Sequence, residues 1–331
     1  MPVAALTEML TGLLRGGGAS ADETGSGAES DQSSVYELSD PKLGIFINGN
    51  VAFGDKVQTD NETGFDFDSS GLTIGVDYLF TDHFVAGFAL GYGNAEADFL
   101  GNTGGQESDF ISGTLFGTFV DDRWFLSAIA GYATGDYDLE RRISAELLSE
   151  DLVAKSSTDG NNVFGGLSAE FDFGSGPWRI GPAIAVNYIR ADIDGFAETG
   201  AGGLDLVYGD QQAKSLTARA GLRLGYVFST EFGVLSLDGR ADFVKEYEDD
   251  VQSININFIN DPFVNDPNQP SPGFTVFTDE PDSEYGIWGV SLSYQGPHSI
   301  AGFIDYQSVT GMTGITLSEV TLGLRIQHQF N

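Results

Sequence analysis

The stretch GLTIGVDYLFTDHFVAGFALGYGNAEADF, residues 71–99, alternates strictly between two kinds of side chain, turns on three polar residues and then alternates again. Large apolar residues take every second position, from Leu72 to Phe80 and again from Phe84 to Tyr92. The positions between them hold mostly glycine and small or polar residues. Because a period of two is typical of β-strands, this stretch predicts a hairpin with one bulky apolar face and one small face.

The small face decides between two all-β architectures. A soluble sandwich buries its apolar face against a second sheet and presents charged and β-branched residues to water. Glycine and small polar residues suit the crowded interior of a barrel better than a wet surface. We therefore expect the large apolar face to contact lipid and the small face to line a lumen.

The composition narrows the function further. The chain has 331 residues, a formal net charge of -34 and no cysteine. No basic stripe is available to neutralise phosphates, so nucleic acid is excluded as a partner. No apolar run approaches the roughly 18 to 20 residues of a membrane-spanning helix, which excludes a helical membrane protein.

The same alternation recurs after residue 41 and predicts twelve strands. We expect them at 43–54, 65–80, 84–99, 108–120, 124–141, 162–173, 178–192, 212–228, 234–248, 283–294, 299–309 and 317–330. Tight turns follow the even strands and longer polar loops follow the odd ones, including 142–160, 193–210 and 249–282. This asymmetry is typical of an outer-membrane up-and-down barrel, with the short turns and both chain ends at the periplasmic side.

Aromatic residues cluster beside the short turns and predict one interfacial girdle. They are Tyr78, Phe80, Phe84, Phe119, Trp124, Trp178, Tyr226, Phe228, Phe232 and Tyr294. We therefore predict an all-β fold, a twelve-stranded antiparallel transmembrane β-barrel in residues 42–331.

The series FINGNVAFGD, GYGNAEADF, YDLERRI, SLTARAGLRLGYVFSTEFGVL and TLGLRIQHQF, in this order, resembles the translocator β-domain of autotransporters, the type V secretion proteins. The resemblance covers residues 43–330. It implies a barrel in a Gram-negative outer membrane, surrounded by lipid and lipopolysaccharide, through which an N-terminal passenger polypeptide reaches the cell surface. Twelve strands should leave a bore close to the roughly 10 Å diameter of a helix.

Charged residues on the small face predict a polar lumen. An arginine facing the bilayer midplane costs about 2 to 4 kcal/mol, so mid-strand charges must point inward. The inward set is Asp77, Glu170, Asp172, Arg179, Arg219, Arg223, Asp238, Arg240, Asp242, Asp305 and Arg325. Two interpretations stay open: a hydrated passage for a polypeptide, and an ion-pair network that braces the wall.

The last strand resembles the C-terminal signature by which the outer-membrane barrel assembly machinery recognises its substrates. Its residues are Leu322, Leu324, Ile326 and Phe330. In the family the aromatic residue is normally the last one, whereas Asn331 follows it here. We expect loss of the Phe330 ring to reduce membrane insertion more than loss of Asn331.

Residues 1–41 form a separate unit, a remnant of the passenger side. Val3, Leu6 and Leu10 lie at helical spacing, which predicts a helix over about 2–15, and an acidic Gly/Ser-rich linker follows. Glu8 interrupts the apolar stretch, and a positive n-region is absent, so these residues do not form a secretory signal. Since an outer-membrane protein must be exported, we expect this sequence to be part of a longer chain.

The alternatives belong to other functional classes. A general outer-membrane porin, or an adhesin-type barrel without secretion activity, shares every strand-level feature. An outer-membrane lipid hydrolase is disfavoured, because the three histidines, His83, His298 and His328, lie in turns or near a strand end, and no G-x-S-x-G elbow occurs. We expect no catalytic residue and no cofactor.

Acidic loops allow a calcium interpretation. The sequence D-I-D-G at 192–195 is similar to part of an EF-hand loop, but the rest of that ligand pattern is absent. Solvated outer loops explain the carboxylates better, and we expect no metal site.

Overall fold

The computed structural model describes residues 42–144, 151–248, 251–261, 273–297 and 299–328. The predicted N-terminal helix and linker, His298 and Phe330 lie outside these residues. The strands, in chain order, are β1 (Leu43–Lys56), β2 (Phe65–Thr81), β3 (Phe84–Phe99), β4 (Gly104–Asp121), β5 (Trp124–Ile143), β6 (Leu152–Phe171), β7 (Trp178–Ile193), β8 (Phe196–Ala197), β9 (Leu206–Tyr208), β10 (Gln211–Thr230), β11 (Gly233–Glu246), β12 (Ser253–Phe258), β13 (Phe274–Phe277), β14 (Glu284–Gly296), β15 (Ile300–Thr310) and β16 (Ile315–His328). Short 3₁₀ segments lie at Leu100–Asn102 and Gly202–Leu204.

Twelve of these strands close into one antiparallel barrel, which confirms the predicted fold. The order around the wall is β1-β16-β15-β14-β11-β10-β7-β6-β5-β4-β3-β2. Pairing of β1 with β16 closes it, with Leu43 opposite His328 and Lys56 opposite Ile315. In the part of the chain that the structure describes, no helix has the length and apolar character needed to cross a membrane.

The hairpin of β2 and β3 shows how the two faces are used. Ile74 and Leu90 pair across the strands, and each leaves about half of its surface exposed on the outside, at 52% and 56%. Asp77, Val85 and Ala89 face inward and are buried. The bulky apolar face therefore forms the outer surface of the barrel, as an arrangement in lipid requires.

Two rings of aromatic residues bound the outer apolar band. The predicted girdle lies beside the short turns, where the rings of Trp178 and Tyr226 are in edge contact. A second ring, which sequence analysis did not identify, lies toward the opposite end and includes Tyr92, Tyr132 and Trp288. The hydroxyls of Tyr92 and Tyr132 donate to polar groups on the outer wall, Asp109 and Asn161.

The strands β4, β5 and β6 are longer than predicted. The expected loop 142–160 is largely strand, because β5 continues to Ile143 and β6 begins at Leu152, and β4 begins at Gly104 rather than at 108. The physical reason is that these segments extend beyond the second aromatic ring. Water replaces lipid outside them, so the apolar-outward alternation that identified the other strands stops there.

Beyond that ring the two faces exchange their character. Glu96 and Asp98 face outward and are exposed. The residues that alternate with them, Ala95, Ala97 and Phe99, face inward and are buried. The buried residues form an apolar cluster inside the surface end of the barrel: Ala52, Phe65, Phe67, Ala95, Ala97, Phe99 and Leu317. This end of the wall is organised like a soluble protein, apolar inside and polar outside.

Two of the predicted loops, 193–210 and 249–282, contain a second sheet. Strands β8 and β9 come from the segment between β7 and β10, and β12 and β13 come from the segment between β11 and β14. They pair in the order β13-β12-β9-β8. We call this four-stranded sheet, with the residues 198–205 that join β8 to β9, the cap. The prediction of plain polar loops was wrong here, because strands of two to six residues are too short to show a period.

Candidate functional site: the barrel lumen

The lumen is lined by the charged residues that sequence analysis assigned to the inner wall. Near the short-turn end they surround a cavity of about 130 Å³, whose lining includes Glu170, Arg179, Arg223, Asp238 and Arg240. The strands bring these side chains together because alternate residues of each strand share one face. The site therefore belongs to the wall of the barrel and to no single loop.

Four arginines of the inner wall form ion pairs with carboxylates on other strands. The pairs are Arg179 with Asp238 (3.0 Å), Arg223 with Asp242 (2.6 Å), Arg240 with Asp305 (2.6 Å) and Arg325 with Asp77 (2.6 Å). Arg223 also contacts Glu170 at 3.1 Å. Each pair joins separate strands, so together they tie the barrel wall around most of its circumference.

Three of these pairs reach across an intervening strand, and a glycine lies beneath each crossing. Arg240 on β11 passes over Gly289 of β14 to reach β15, and a Cβ at Gly289 would lie 2.8 Å from the Arg240 Cζ. Likewise, a Cβ at Gly44 would lie 2.5 Å from an oxygen of Asp77. Gly225 stands between Arg179 and Asp238 in the same way. The inward glycines therefore make room for charged side chains that meet above them.

The pair at Arg240 is part of a longer network. The Arg240 guanidinium donates to both oxygens of Asp305, at 2.6 and 2.7 Å, and to Gln307 Oε1 at 3.3 Å. The Gln307 amide donates to Glu319, at 2.7 Å, and the Asn50 amide donates to the other Glu319 oxygen, at 2.9 Å. The network therefore runs from β11 through β15 and β16 to β1.

Two of the predicted residues stand apart from this network. Asp172 lies just past the end of β6, where its Oδ1 accepts from the backbone N–H groups of Gly174 and Ile180 and so shapes the turn. Arg219 lies mid-wall on β10, between Ala185 and Val244 in register, and it has no ion-pair partner among the described residues. Within the described ranges, Arg219 is thus an arginine of the inner wall without an ion-pair partner.

The opposite side of the lumen is uncharged. Between the two aromatic rings, the inward positions of β3, β4 and β5 hold glycine, serine, threonine and apolar or aromatic residues, and none of them is charged. Phe46 and Phe116 meet there in an edge contact with ring centroids 5.6 Å apart. The bore therefore has one charged side, formed by β6 to β16 with Asp77 of β2, and one uncharged side.

The described residues of the predicted assembly signal lie on the outer surface. Leu322, Leu324 and Ile326 of β16 face outward and are more than half exposed, at 54%, 60% and 56%. Phe330 lies outside the described residues. The described part of this signal is thus available to another protein while the barrel is outside lipid.

In the segment 192–195, the Asp192 carboxylate is engaged with other protein groups. Arg190 donates to both oxygens of Asp192, at 2.8 and 2.9 Å, and these hydrogen bonds lower the pKa of the Asp192 carboxyl. Among the described residues, no group of three or more histidine, cysteine or acidic side chains is arranged to hold a metal ion.

Comparisons with known proteins agree with this architecture. The family model described as the autotransporter β-domain matches residues 45–307. The proteins named Esterase EstA of Pseudomonas aeruginosa and of Pseudomonas putida are each 26% identical over 220 residues, which cover 64% of this chain and 33% of the relative. The chain therefore spans about a third of the length of these curated relatives.

Solved structures share the fold. The translocator domain of the autotransporter NalP from Neisseria meningitidis aligns with a TM-score of 0.66 and 16% identity, over 96% of this chain and 99% of that one. The β-domain of the Bordetella autotransporter BrkA aligns with a TM-score of 0.60 and 16% identity, over 87% and 100%. The barrel thus keeps its shape at low sequence identity.

Proposed function

Because the chain belongs to the autotransporter β-domain family, it is an outer-membrane translocator barrel of a Gram-negative bacterium, and we propose that its lumen passes the polypeptide that precedes residue 42 to the cell surface. The observation that carries this proposal is the pairing of charges on the inner wall. A chain in transit presents side chains of every kind to the wall. It moves past a wall whose charges already satisfy one another more easily than past isolated charges, which would bind it.

The same ion pairs also brace the barrel. A pair that joins strands two positions apart resists both flattening and widening of the bore. The two interpretations of the inward charges are therefore compatible, since a wall that holds its shape also holds its passage open.

We further propose that residues 1–41 occupy the bore after transit. The predicted helix over about 2–15 has a diameter of roughly 10 Å, which suits a twelve-stranded barrel. Between Arg15 and Lys42 the chain carries acidic residues and no basic ones. Arg219 has no ion-pair partner among the described residues and can attract the acidic linker. The rings of Phe46 and Phe116 on the uncharged side of the bore offer a surface to the apolar face of the helix.

The structure at the mouth of the barrel supports a porin function less well than translocation. A porin holds an inward loop that narrows a water-filled opening. Here the cap packs an apolar cluster against the inner wall, which includes Tyr137, Ile193 and Ile254. Water and small solutes find no polar lining along that contact.

We propose that the barrel itself hydrolyses no ester, although the two relatives are named as esterases. His83, the histidine whose side chain the structure describes, lies exposed in a turn and contacts the carbonyl of Val120 at 2.9 Å. Assay of the purified barrel on a p-nitrophenyl ester should give the rate of buffer alone. An activity that disappears when His298 or His328 is replaced would contradict this.

Surface display tests the translocation proposal. A folded reporter is fused before Met1, behind a secretory signal, and intact cells are treated with protease. We expect the protease to remove the reporter. As a control for membrane integrity, an epitope inserted in the short turn between Thr230 and Gly233 should stay protected in the same cells. A reporter that stays in the periplasm would refute the proposal.

A further inference from the structure

We propose that the cap is a gate, closed in this structure at the surface end of the lumen and displaced when a polypeptide passes. The proposal rests on the proposed function, since a chain that leaves the lumen must cross the position of the cap. Four features carry the inference: an apolar seat, two polar latches on different strands, and a weak mechanical link to the wall.

The seat is the apolar contact between the cap and the inner wall. Its buried residues are Tyr137, Leu139, Ile193, Phe196, Leu206, Tyr208, Ile254 and Ile256, with Phe110, Phe274 and Val276 packed against them. The first three belong to the barrel strands β5 and β7, and the other five belong to the cap. Because this contact is apolar and continuous, it seals the mouth against water while the cap is seated.

The first latch joins the cap to β5. Arg141 of β5 donates to both oxygens of Glu198, and its Nη2 also donates to the carbonyl of Leu204 at 2.9 Å. Glu198 is 3% exposed and accepts further bonds from the Leu206 N–H, at 2.9 Å, and the Tyr208 hydroxyl, at 3.3 Å. One carboxylate therefore fixes both cap strands of this segment to the barrel wall.

The second latch lies across the mouth. Asp279 follows β13, and its carboxylate accepts from Thr59 Oγ1 at 2.8 Å and from Asn61 Nδ2 at 3.0 Å. Its backbone N–H donates to Glu62, which is buried with Lys56 in an ion pair. The cap is thus held at the loop between β1 and β2 as well as at β5, and it spans the opening between them.

The backbone link between the cap and the wall is weak compared with the wall itself. The only β-pairing of the cap with a barrel strand in the described part of the chain is the isolated bridge between Thr199 and Lys155 of β6. Inside the barrel, β5 and β6 pair over their whole lengths of 20 residues each. Lifting the cap separates the apolar seat and breaks one bridge and two latches, whereas opening the wall would break a whole hydrogen-bonded ladder.

A disulfide lock tests the gate through transport. The chain has no cysteine, so Lys155→Cys with Thr199→Cys creates a unique pair. Directly opposed antiparallel residues have Cα atoms about 4.5 to 5.5 Å apart, within the range of a disulfide. The matched control combines the same Lys155→Cys with Glu140→Cys on β5, which pairs with it. This disulfide joins two strands of the barrel wall and leaves the cap free.

With the reporter fused before Met1, we expect the oxidised lock to lower surface display at least about tenfold, reduction to restore it, and the control to display normally. Normal display from the fully oxidised lock would overturn the gate. If no variant displays the reporter, wild type included, the proposed function fails, and the gate is then decided by the next measurement.

Accessibility of the seat tests the gate without transport. Ile193 is 2% exposed beneath the cap, so a cysteine there reacts with an impermeant polyethylene-glycol maleimide only when the cap lifts. In intact cells, Arg141→Gln and Asp279→Asn should each speed the labelling of Ile193→Cys about tenfold, because each removes charge-assisted hydrogen bonds. Labelling at the wild-type rate in both latch variants would overturn the proposal.

Two controls keep that result clear. Glu107→Cys on the exposed outer face of β4 should label at one rate in every background. The resistance of the folded barrel to unfolding in detergent should match wild type, which shows that a latch variant has lost the latch and not the fold. If one latch variant fails to fold, the other still decides the outcome.

Discussion

At the scale of single residues, ion pairs between strands that are not neighbours hold the inner wall of the barrel together. Alternation and the cost of an arginine in lipid place Arg240 and Arg325 on the inner wall. Their partners, Asp305 and Asp77, lie two strands away around the barrel, and only the register of the closed barrel brings them together. The glycines beneath the crossings leave room for the paired side chains. An alternation pattern shows only that such a residue is small and faces inward, so it does not predict this role.

Gly289→Val should weaken the barrel by displacing Arg240 from Asp305. Any Cβ at position 289 would lie 2.8 Å from the Arg240 Cζ, so the guanidinium must leave its carboxylate. Breaking a buried ion pair costs about 3 to 5 kcal/mol. We expect the thermal midpoint of the heat-modifiable transition on gel electrophoresis to fall clearly below that of wild type.

The matched control is Gly113→Val on the outer face of β4. A Cβ there meets Phe88 at an ordinary distance of 3.7 Å, and the side chain enters lipid. This variant should unfold at the wild-type temperature. Equal midpoints for the two variants would show that the crossing over Gly289 contributes nothing.

At the scale of the strands, the part of each strand that lies in lipid was predictable and the part beyond it was not. Lipid requires apolar residues on the outside of the barrel, so large apolar residues such as Ile74 and Leu90 occupy every second position of their strands. Above the second aromatic ring the outward positions are acidic and pair with one another, as Asp68 with Glu96, and Glu96 with Glu107. A polar strand of this kind resembles a polar loop, so the predicted β5 ends too early, at 141, and the predicted β6 begins too late, at 162.

The acidic outer face makes the stability of these strands depend on pH. Asp136 of β5 lies opposite Asp159 of β6, and a hydrogen bond between the two carboxyls raises the pKa of Asp136. A group whose folded pKa is raised favours the protonated fold, so the pair stabilises at acidic pH and loses that contribution as pH rises through the folded pKa. At neutral pH the two carboxylates repel each other.

Asp136→Asn should therefore raise the thermal midpoint of the barrel at pH 7 and leave it nearly unchanged near pH 4. Midpoints measured over this range should show a smaller pH dependence than wild type. Asp172→Asn, in a turn far from this face, serves as a comparison and should not reduce the pH dependence. A variant that is less stable than wild type at pH 7 would contradict the assignment.

The last strand carries the prediction on assembly. Leu322, Leu324 and Ile326 present an exposed apolar row on β16, and Phe330 continues its period. Phe330→Ala should lower the folded, membrane-inserted fraction severalfold, because the proposed signal loses its aromatic ring, whereas Asn331→Ala should not. The heat-modifiable band in outer-membrane fractions measures both. Equal folded fractions would refute the ranking.

At the scale of the whole molecule, closure of the barrel followed from the sequence, and closure of its mouth did not. Twelve strands and alternating connections define the barrel. The cap depends on two segments far apart in the chain, whose strands β9 and β12 share only three paired positions. Contacts of that kind leave no period in the sequence, and they appear only once both loops are placed over the same opening.

Removal of residues 1–40 should raise single-channel conductance severalfold if this segment occupies the bore. The measurement uses the purified Arg141→Gln variant in a planar bilayer, with and without residues 1–40, because the unlatched cap of this variant does not itself close the mouth. Arg219→Ala in the full chain should give intermittent openings with the conductance of the deletion variant, because it removes the positive charge that we propose holds the acidic linker. Arg219→Lys keeps that charge and should not open. Unchanged conductance after the deletion would place the segment outside the lumen.

The unequal height of the wall gives this barrel a front and a back within the plane of the membrane. Strands β5 and β6 have 20 residues each, whereas β14 has 13 and β15 has 11, so the acidic rim rises on one side only. Two copies that approach with their tall sides facing bring rows of carboxylates together and repel each other. In a crowded membrane we therefore expect neighbouring copies to turn their low sides toward one another and to keep their acidic sides apart.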